Sequence, residues 1–180
     1  MILWQNHIRQ RDIEWLDGHS LQGQTVFPGA GYVVMAMEAA LHEAGDREVQ
    51  LLEVLNLVID KAVTFEDENS LIELNLSLMV NSGEVTDTSI SYTFVINSCL
   101  AKETSLSTSA TGTIVVAFGQ GGLETLPVAQ TEPPHMNKVS VDRFYNMLNE
   151  IGYGYTKQFR GVSSLRRGDS KAWLVHLDLM

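Results

Sequence analysis

The chain contains 180 residues, of which 44% are hydrophobic and 19% are charged. This composition excludes intrinsic disorder, and the single cysteine, Cys99, excludes a disulfide scaffold. Twelve Lys and Arg residues against 22 Asp and Glu residues give a net charge of −10, which would repel a nucleic acid. The longest apolar stretch, residues 26–37, is too short for a membrane span and contains Pro28. We therefore expect a cytoplasmic protein without membrane contact.

The first part of the sequence predicts one long helix followed by an antiparallel sheet. Residues 15–29 form a glycine-rich loop, and the helix should follow over residues 30–44. Because this helix is apolar on nearly every face, we expect protein all around it. Its predicted core-facing positions are Ala30, Val33, Val34, Met37, Leu41 and Ala44. The predicted strands, most of them alternating apolar and polar residues, are 49–65, 70–81, 88–98 and 106–118. This pattern indicates an α+β fold in which the sheet curls around the helix.

A linker and a second unit are predicted after residue 118. Three glycines and three of the four prolines fall within residues 119–138, which is typical of a linker. An amphipathic helix should follow at 141–151, and then two strands near 159–166 and 171–179. We therefore predict domains at 1–118 and 139–180. The second domain has no long buried helix of its own, so we expect it to be incomplete.

His19 is the histidine best placed for chemistry. It lies in a glycine-bounded loop just before the N-terminus of the predicted helix, where unpaired N–H groups and the helix dipole favour negative charge. A histidine at such a place could remove a proton while the backbone amides hold the resulting oxyanion. The alternative is a loop histidine exposed to water. No two histidines have the spacing of zinc ligands, so we expect no metal site.

Two motifs resemble those of a known family. HSLQGQTVFP at 19–28 matches the HxxxGxxxxP motif of dehydratase domains from polyketide synthases and animal-type fatty acid synthases. The surrounding sequence is most similar to the iterative reducing polyketide synthases of fungi. GYGYTKQF at 152–159 resembles the GYxYGPxF motif, although Thr156 and Lys157 stand where Gly-Pro is usual. The resemblance covers essentially the whole chain, in the family's order.

This resemblance implies a hotdog fold, as the first half of a double hotdog whose second hotdog is truncated. It implies the removal of water from a β-hydroxyacyl chain tethered to acyl carrier protein, giving an enoyl thioester. No bound cofactor is implied, since the phosphopantetheine arm of the carrier protein presents the substrate. The implied partners are acyl carrier protein and the remaining synthase domains, and a homodimer stays open. The implied site residues are His19 as the base, Gly29 as the N–H donor to the thioester carbonyl, and Gly23, Pro28, Tyr155 and Phe159 around the substrate.

We find no counterpart in this sequence for one catalytic residue of the family, the acid. The family's acid is an aspartate in a DxxxQ or DxxxH motif on the helix of the second hotdog, and we expect the chain to end before that segment. Asp178, which only Leu-Met follows, does not fit the motif. We therefore expect the 180 residues alone to be inactive. Two alternatives remain: a non-catalytic pseudo-dehydratase scaffold, or another hotdog enzyme such as an acyl thioesterase or a product-template domain.

Overall fold

The computed structural model describes residues 1–100, 103, 105–122, 126–128, 131–168 and 171–176. The end of the strand predicted at 171–179, with Asp178, lies outside these residues, as does part of the predicted linker. The helices and strands are β1 Ile2–Arg9, β2 His19–Leu21, β3 Gln24–Val26, α1 Gly29–Ala44, β4 Val49–Ile59, β5 Thr64–Phe65, β6 Leu71–Val85, β7 Ser89–Leu100, β8 Ser107–Phe118, β9 Asn137–Val139, α2 Val141–Glu150, β10 Tyr153–Tyr155, β11 Val162–Arg167 and β12 Ala172–His176.

The chain divides into two compact units that do not follow chain order. The first unit comprises residues 1–13 and 27–127, and the second comprises residues 14–26 and 128–180. Our sequence-based limits, 1–118 and 139–180 with a linker between them, remain a prediction about domains. A division by chain order has no means of grouping residues 14–26, which include His19, with a segment more than 100 residues later in the sequence.

The first unit is a five-stranded antiparallel sheet, in the order β1-β6-β7-β8-β4, with α1 packed against it. The alternating pattern explains the core, because every second side chain of a strand points to the same face. The buried apolar side chains that follow this alternation on the three central strands are Ile72, Leu74, Leu76, Leu78, Tyr92, Phe94, Ile96, Ala110, Ile114 and Val116. At Gly112 a Cβ would lie 2.6 Å from the Phe94 ring, so only glycine fits there. These strands confirm the segments predicted at 70–81, 88–98 and 106–118.

The face that α1 buries differs from our prediction. Its buried residues are Tyr32, Ala36, Ala39, Ala40 and Ala44, whereas Val34 is 54% exposed and Leu41 is 38% exposed. Of the predicted core-facing positions only Ala44 is buried, so the predicted face was wrong. The physical reason is size: alanines recurring every three or four residues let the helix backbone approach the sheet closely. The larger apolar side chains are left on the outer face, and so the expectation of protein all around α1 is not met in the described chain.

The second unit contains short strands and α2. Strand β2 pairs with β3 on one side and with β10 on the other. A separate three-stranded sheet has the order β12-β11-β9. Helix α2 matches the helix predicted at 141–151, and its N-terminus is capped by Ser140, whose hydroxyl accepts the Arg143 N–H at 3.3 Å. None of the helices in the described residues has the length and apolar character that a membrane crossing requires.

Candidate active site

A tight hairpin places His19. Strands β2 and β3 are joined by Gln22 and Gly23, which have φ angles of 52° and 80°. Positive φ at both central residues is the geometry of the two-residue hairpin turn that matches strand twist, and glycine adopts it without strain. The structure thus gives Gly23 of the HxxxGxxxxP motif a place in this turn, and a Cβ there would meet no atom within 4 Å. Its contact with substrate remains a prediction.

One ring nitrogen of His19 is held by the hairpin. Its Nδ1 lies 2.8 Å from the carbonyl oxygen of Val26, at the end of β3. A carbonyl oxygen can only accept, so Nδ1 must carry the hydrogen and donate it. In the neutral ring, Nε2 then carries the free lone pair, and Nε2 is the atom that can take a proton. The ring itself is half-buried.

The second motif brings two aromatic rings to His19. The antiparallel pairing of β2 with β10 sets Tyr155 directly opposite His19, and their rings stack with centroids 5.3 Å apart. The Phe159 ring lies 4.9 Å from the imidazole and 6.1 Å from the ring of Trp15. The sequence therefore predicted three members of this cluster, and the structure brings them together. It missed Trp15, which stands four residues before His19 and matches no position of either motif.

Tyr155 stays a neutral hydrogen-bond donor. Burial raises the pKa of its hydroxyl above the ordinary value of 10.0, and the neighbouring Tyr153 raises it further. At neutral pH the phenol is therefore protonated. An uncharged aromatic ring beside the imidazole suits an apolar ligand better than an ionised group would, because a charge there would have to be desolvated.

Thr156 and Lys157 form a turn that closes against the residues before His19. The Thr156 N–H donates to the carbonyl of Gly18 at 3.0 Å. A Cβ on Gly18 would lie 2.8 Å from the Thr156 oxygen, so this crossing requires glycine at position 18. The Lys157 ammonium lies 2.8 Å from both carboxylate oxygens of Asp17. Nothing in the sequence pattern indicated this ion pair.

The first unit carries Pro28 and Gly29. Pro28 is the extended residue that precedes α1, and Gly29 is the first residue of the helix. The N–H of a first helical residue has no partner within the helix, as an oxyanion donor requires. The turn is held in place by Phe27, whose N–H donates to the Val63 carbonyl at 2.8 Å and whose ring fills the space at Gly31 that a Cβ would need.

The only acid with the family's DxxxQ spacing lies at the opposite end of this helix. Asp46 and Gln50 follow the C-terminus of α1, whose 16 residues separate them from Gly29 by about 24 Å. Asp46 therefore lies far from the N–H that the resemblance assigns to the thioester carbonyl. Among the described residues, no group of three or more His, Cys, Asp or Glu side chains could hold a metal ion.

Family models match both parts of the sequence. Residues 1–95 match the polyketide synthase dehydratase domain, and residues 124–179 match the polyketide synthase dehydratase N-terminal domain. The chain belongs to the polyketide synthase dehydratase family. Its similarity to fungal iterative synthases is also confirmed, since the compactin nonaketide synthase component of Penicillium citrinum is 54% identical over 173 residues, 94% of this chain. Lovastatin nonaketide synthase mokA of Monascus pilosus is 51% identical over 179 residues. The chain spans about 6% of the length of each of these relatives.

Solved dehydratases share the fold. A trans-AT polyketide synthase dehydratase domain from Brevibacillus brevis superposes with a TM-score of 0.75 at 23% identity, covering 97% of this chain and 59% of that one. The CurK dehydratase, solved as one inactive mutant at a histidine and another at an aspartate, matches at TM-scores of 0.73 and 0.72 and identities of 18% and 19%. Each match covers 94% of this chain and 56% of that dehydratase. The predicted hotdog fold is therefore confirmed.

Proposed function

We propose that this chain supplies the catalytic base of a β-hydroxyacyl-thioester dehydratase, and that His19 is that base. The observation that carries the proposal is the hydrogen bond from His19 Nδ1 to the Val26 carbonyl, which leaves the lone pair on Nε2. The rings of Tyr155 and Phe159, whose centroids lie 5.3 Å and 4.9 Å from that of the imidazole, restrict its orientation. A base needs this combination of a free lone pair and a fixed direction.

In the proposed reaction, Nε2 takes the proton from the carbon next to the thioester carbonyl. The electron pair of that C–H bond forms the new double bond, and the bond from the β-carbon to the hydroxyl breaks. The departing hydroxyl takes a proton from an acid and leaves as water. The N–H of Gly29 would hold the carbonyl oxygen as it becomes enolate-like, and removing one such donor costs about 3 kcal/mol of barrier in other enzymes.

We assign the acid to a residue other than the acidic residues described above. Asp46 lies at the wrong end of α1, and the second unit's Asp17 forms an ion pair with Lys157. The CurK dehydratase, which shares the fold, is inactive in both its histidine and its aspartate mutants. By analogy with that protein, we propose that the acid here is an aspartate that acts together with His19. General acid assistance is worth about 10²–10⁴ in rate, so its loss alone would hide activity.

The proposed substrate is an acyl chain on the phosphopantetheine arm of acyl carrier protein, with no bound cofactor. Support comes from the site's chemistry, since an imidazole base and aromatic walls suffice for proton removal from a carbon acid without metal or redox chemistry. The proposed partners are acyl carrier protein and the other domains of a multidomain synthase, of the kind found in the fungal relatives.

The test is a graft into a related synthase. This chain replaces the matching segment of the compactin synthase component, to which it is 54% identical. We expect the grafted synthase to dehydrate a β-hydroxyacyl carrier protein, detected as the loss of water by mass. We expect His19→Ala to lower the rate about 10²–10⁴-fold, the usual share of a general base. The matched control is His42→Ala, whose side chain is 75% exposed at the end of α1. Full activity of the His19→Ala graft would remove His19 from the mechanism, and release of a free acid would indicate a thioesterase instead.

A further inference from the structure

The backbone at Lys157 excludes the residue that the family usually carries there. Lys157 has a φ angle of 51°, in the left-handed region. The proline ring fixes φ near −65°, so a proline at position 157 could not adopt this conformation. The turn formed by Lys157–Phe159 therefore has a backbone conformation that a proline-containing turn could not have. Other interactions must hold this turn in place.

Lys157 and Thr156 supply these interactions, because both donate hydrogen bonds to the turn before His19. The Lys157 ammonium donates to both Asp17 oxygens at 2.8 Å and to the Glu14 carbonyl at 3.4 Å. One residue earlier, the Thr156 N–H donates to Gly18 at 3.0 Å. The two turns that these contacts join are Leu16–Gly18, which leads directly into His19, and Lys157–Phe159, which ends in the ring against His19.

We propose that Asp17 and Lys157 are positioning residues, whose ion pair does for this chain what a proline-containing turn does elsewhere in the family. The ion pair holds the Phe159 ring against the imidazole, and so it sets the direction of Nε2. This inference rests on the proposed function, because direction matters only if Nε2 takes a proton. Neither side chain touches substrate in this account.

Solvent exposure sets the size of the expected effect. The Lys157 and Asp17 side chains are 52% and 48% exposed, so water and salt screen the pair. Exposed pairs contribute up to about 1 kcal/mol, which corresponds to about a fivefold change in the population of the correct arrangement. The Debye length falls from about 10 Å at 0.1 M salt to about 3 Å at 1 M, so high salt should weaken the contact. A hydrophobic or purely steric anchor would not respond in this way.

The test uses the grafted synthase and four variants: Lys157→Gly, Lys157→Arg, Asp17→Asn and the double variant Asp17→Asn with Lys157→Gly. Glycine adopts a φ of 51° without strain, so Lys157→Gly removes the ammonium while keeping the turn. At low salt we expect Lys157→Gly to lower kcat about fivefold with KM unchanged. Asp17→Asn should lower kcat by the same factor, and the double variant should have the same kcat as either single variant. Lys157→Arg should keep the kcat of the unmodified graft. At about 1 M salt the unmodified graft should fall to the level of Lys157→Gly.

A second readout does not depend on activity. The rate at which diethylpyrocarbonate modifies His19, followed by peptide mass spectrometry, should rise in Lys157→Gly and return to the unmodified graft's rate in Lys157→Arg. Equal modification rates and equal kcat in the graft and in Lys157→Gly would overturn the proposal, as would additive losses in the double variant. If His19→Ala keeps full activity, the proposed function fails, whereas the modification rates still decide whether the ion pair holds the ring.

Discussion

The imidazole of His19 is held by two kinds of contact that act on different properties. The hydrogen bond to Val26 decides which nitrogen carries the proton, and the rings of Tyr155 and Phe159 decide where the other nitrogen points. Aromatic pairs contribute about 0.5–1.5 kcal/mol beyond the area they bury, which is enough to favour one ring orientation about tenfold. The two rings therefore help to set the geometry of the imidazole that we propose as the base.

Two substitutions at Tyr155 separate its ring from its hydroxyl. We expect Tyr155→Phe to keep the activity of the grafted synthase within about twofold, because the stack on His19 survives. Tyr155→Leu should lower kcat about tenfold, since the ring contact is lost while an apolar side chain remains. Steady-state dehydration of a β-hydroxyacyl carrier protein measures both. Equal losses in the two variants would instead assign the role to the hydroxyl.

The sequence revealed those site residues that short motifs mark. His19, Tyr155 and Phe159 stand at fixed motif positions, so they could be selected before any pairing of strands was known. The Val26 carbonyl and the Asp17–Lys157 ion pair could not be selected, because they depend on how β2 pairs with β3 and β10. A backbone carbonyl in addition leaves no trace in the sequence. The motif positions therefore predicted His19 and its two aromatic neighbours, but neither the hydrogen bond to Val26 nor the ion pair.

At the scale of elements, the sequence predicted α1 and the long strands but not the face that α1 buries. Alternation in β6, β7 and β8 indicates one buried face, because a strand has only two faces. In a helix that is apolar nearly all round, the pattern does not indicate which face is buried. The face with the small side chains of Ala36 and Ala40 packs against the sheet, and Val34 and Leu41 remain exposed. The segment 49–65 became two strands, β4 and β5, and the left-handed Asn56 in β4 lies where its pairing with β8 shifts register.

The one large polar group on the buried face of α1 makes a testable contribution to stability. The hydroxyl of Tyr32, which is 1% exposed, forms no well-aligned hydrogen bond with the described residues. The Val63 backbone and the Ser109 side chain lower its pKa, but they only partly offset the burial that raises the pKa above 10.0. In the folded chain the phenol therefore keeps its proton at a pH where the unfolded chain has lost it. The contribution of Tyr32 to the free energy of unfolding is complete below pH 10 and is lost as the pH rises through the pKa of Tyr32 in the folded chain.

We expect Tyr32→Phe to leave the free energy of unfolding unchanged or higher near neutral pH, because it removes a buried hydroxyl without a good partner. Its stability should fall less than that of the unmodified chain above pH 10, the ordinary tyrosine value. The matched control is Tyr145→Phe in α2, whose hydroxyl accepts the Val162 N–H at 3.0 Å. That variant should lose about 1 kcal/mol near neutral pH. Urea unfolding of the dilute, monomeric chain measures all three proteins, and a large neutral-pH loss in Tyr32→Phe would contradict the prediction.

At the scale of the whole molecule, two features compete in solution. A net charge of −10 favours separate chains, since like charges repel over about a Debye length. Against this, the second unit has an apolar groove of about 530 Å³ between α2 and its sheet, with Phe144, Met147, Leu165 and Leu174 among its lining residues. Met147 is 56% exposed and Leu174 is 50% exposed, so the groove offers uncovered apolar area.

We expect the apolar groove to prevail for the isolated chain. Burying such area contributes about 25 cal/mol per Å², which salt does not weaken, whereas salt screens the repulsion. The 180-residue chain should therefore self-associate, and more strongly as salt is added, as sedimentation velocity would show. The variant Met147→Glu with Leu174→Glu should stay monomeric, because both side chains are already half exposed and the charges oppose burial. A monomeric unmodified chain at high salt would contradict this account of the groove.

The glutamate variant should therefore be monomeric without being active. The solved Brevibacillus brevis dehydratase is matched over 59% of its chain, so two fifths of it has no counterpart among these 180 residues. We expect neither the unmodified chain nor its Met147→Glu, Leu174→Glu variant to dehydrate a β-hydroxyacyl carrier protein, because the acid that we propose for the departing hydroxyl is not among the acidic side chains described above. Adding in trans the segment that follows the matching region in the compactin synthase should cover the groove, suppress association and restore the loss of water. The glutamate variant should not respond, since its groove no longer accepts an apolar partner. Turnover by either chain without the added segment would mean that an acid within these 180 residues protonates the hydroxyl.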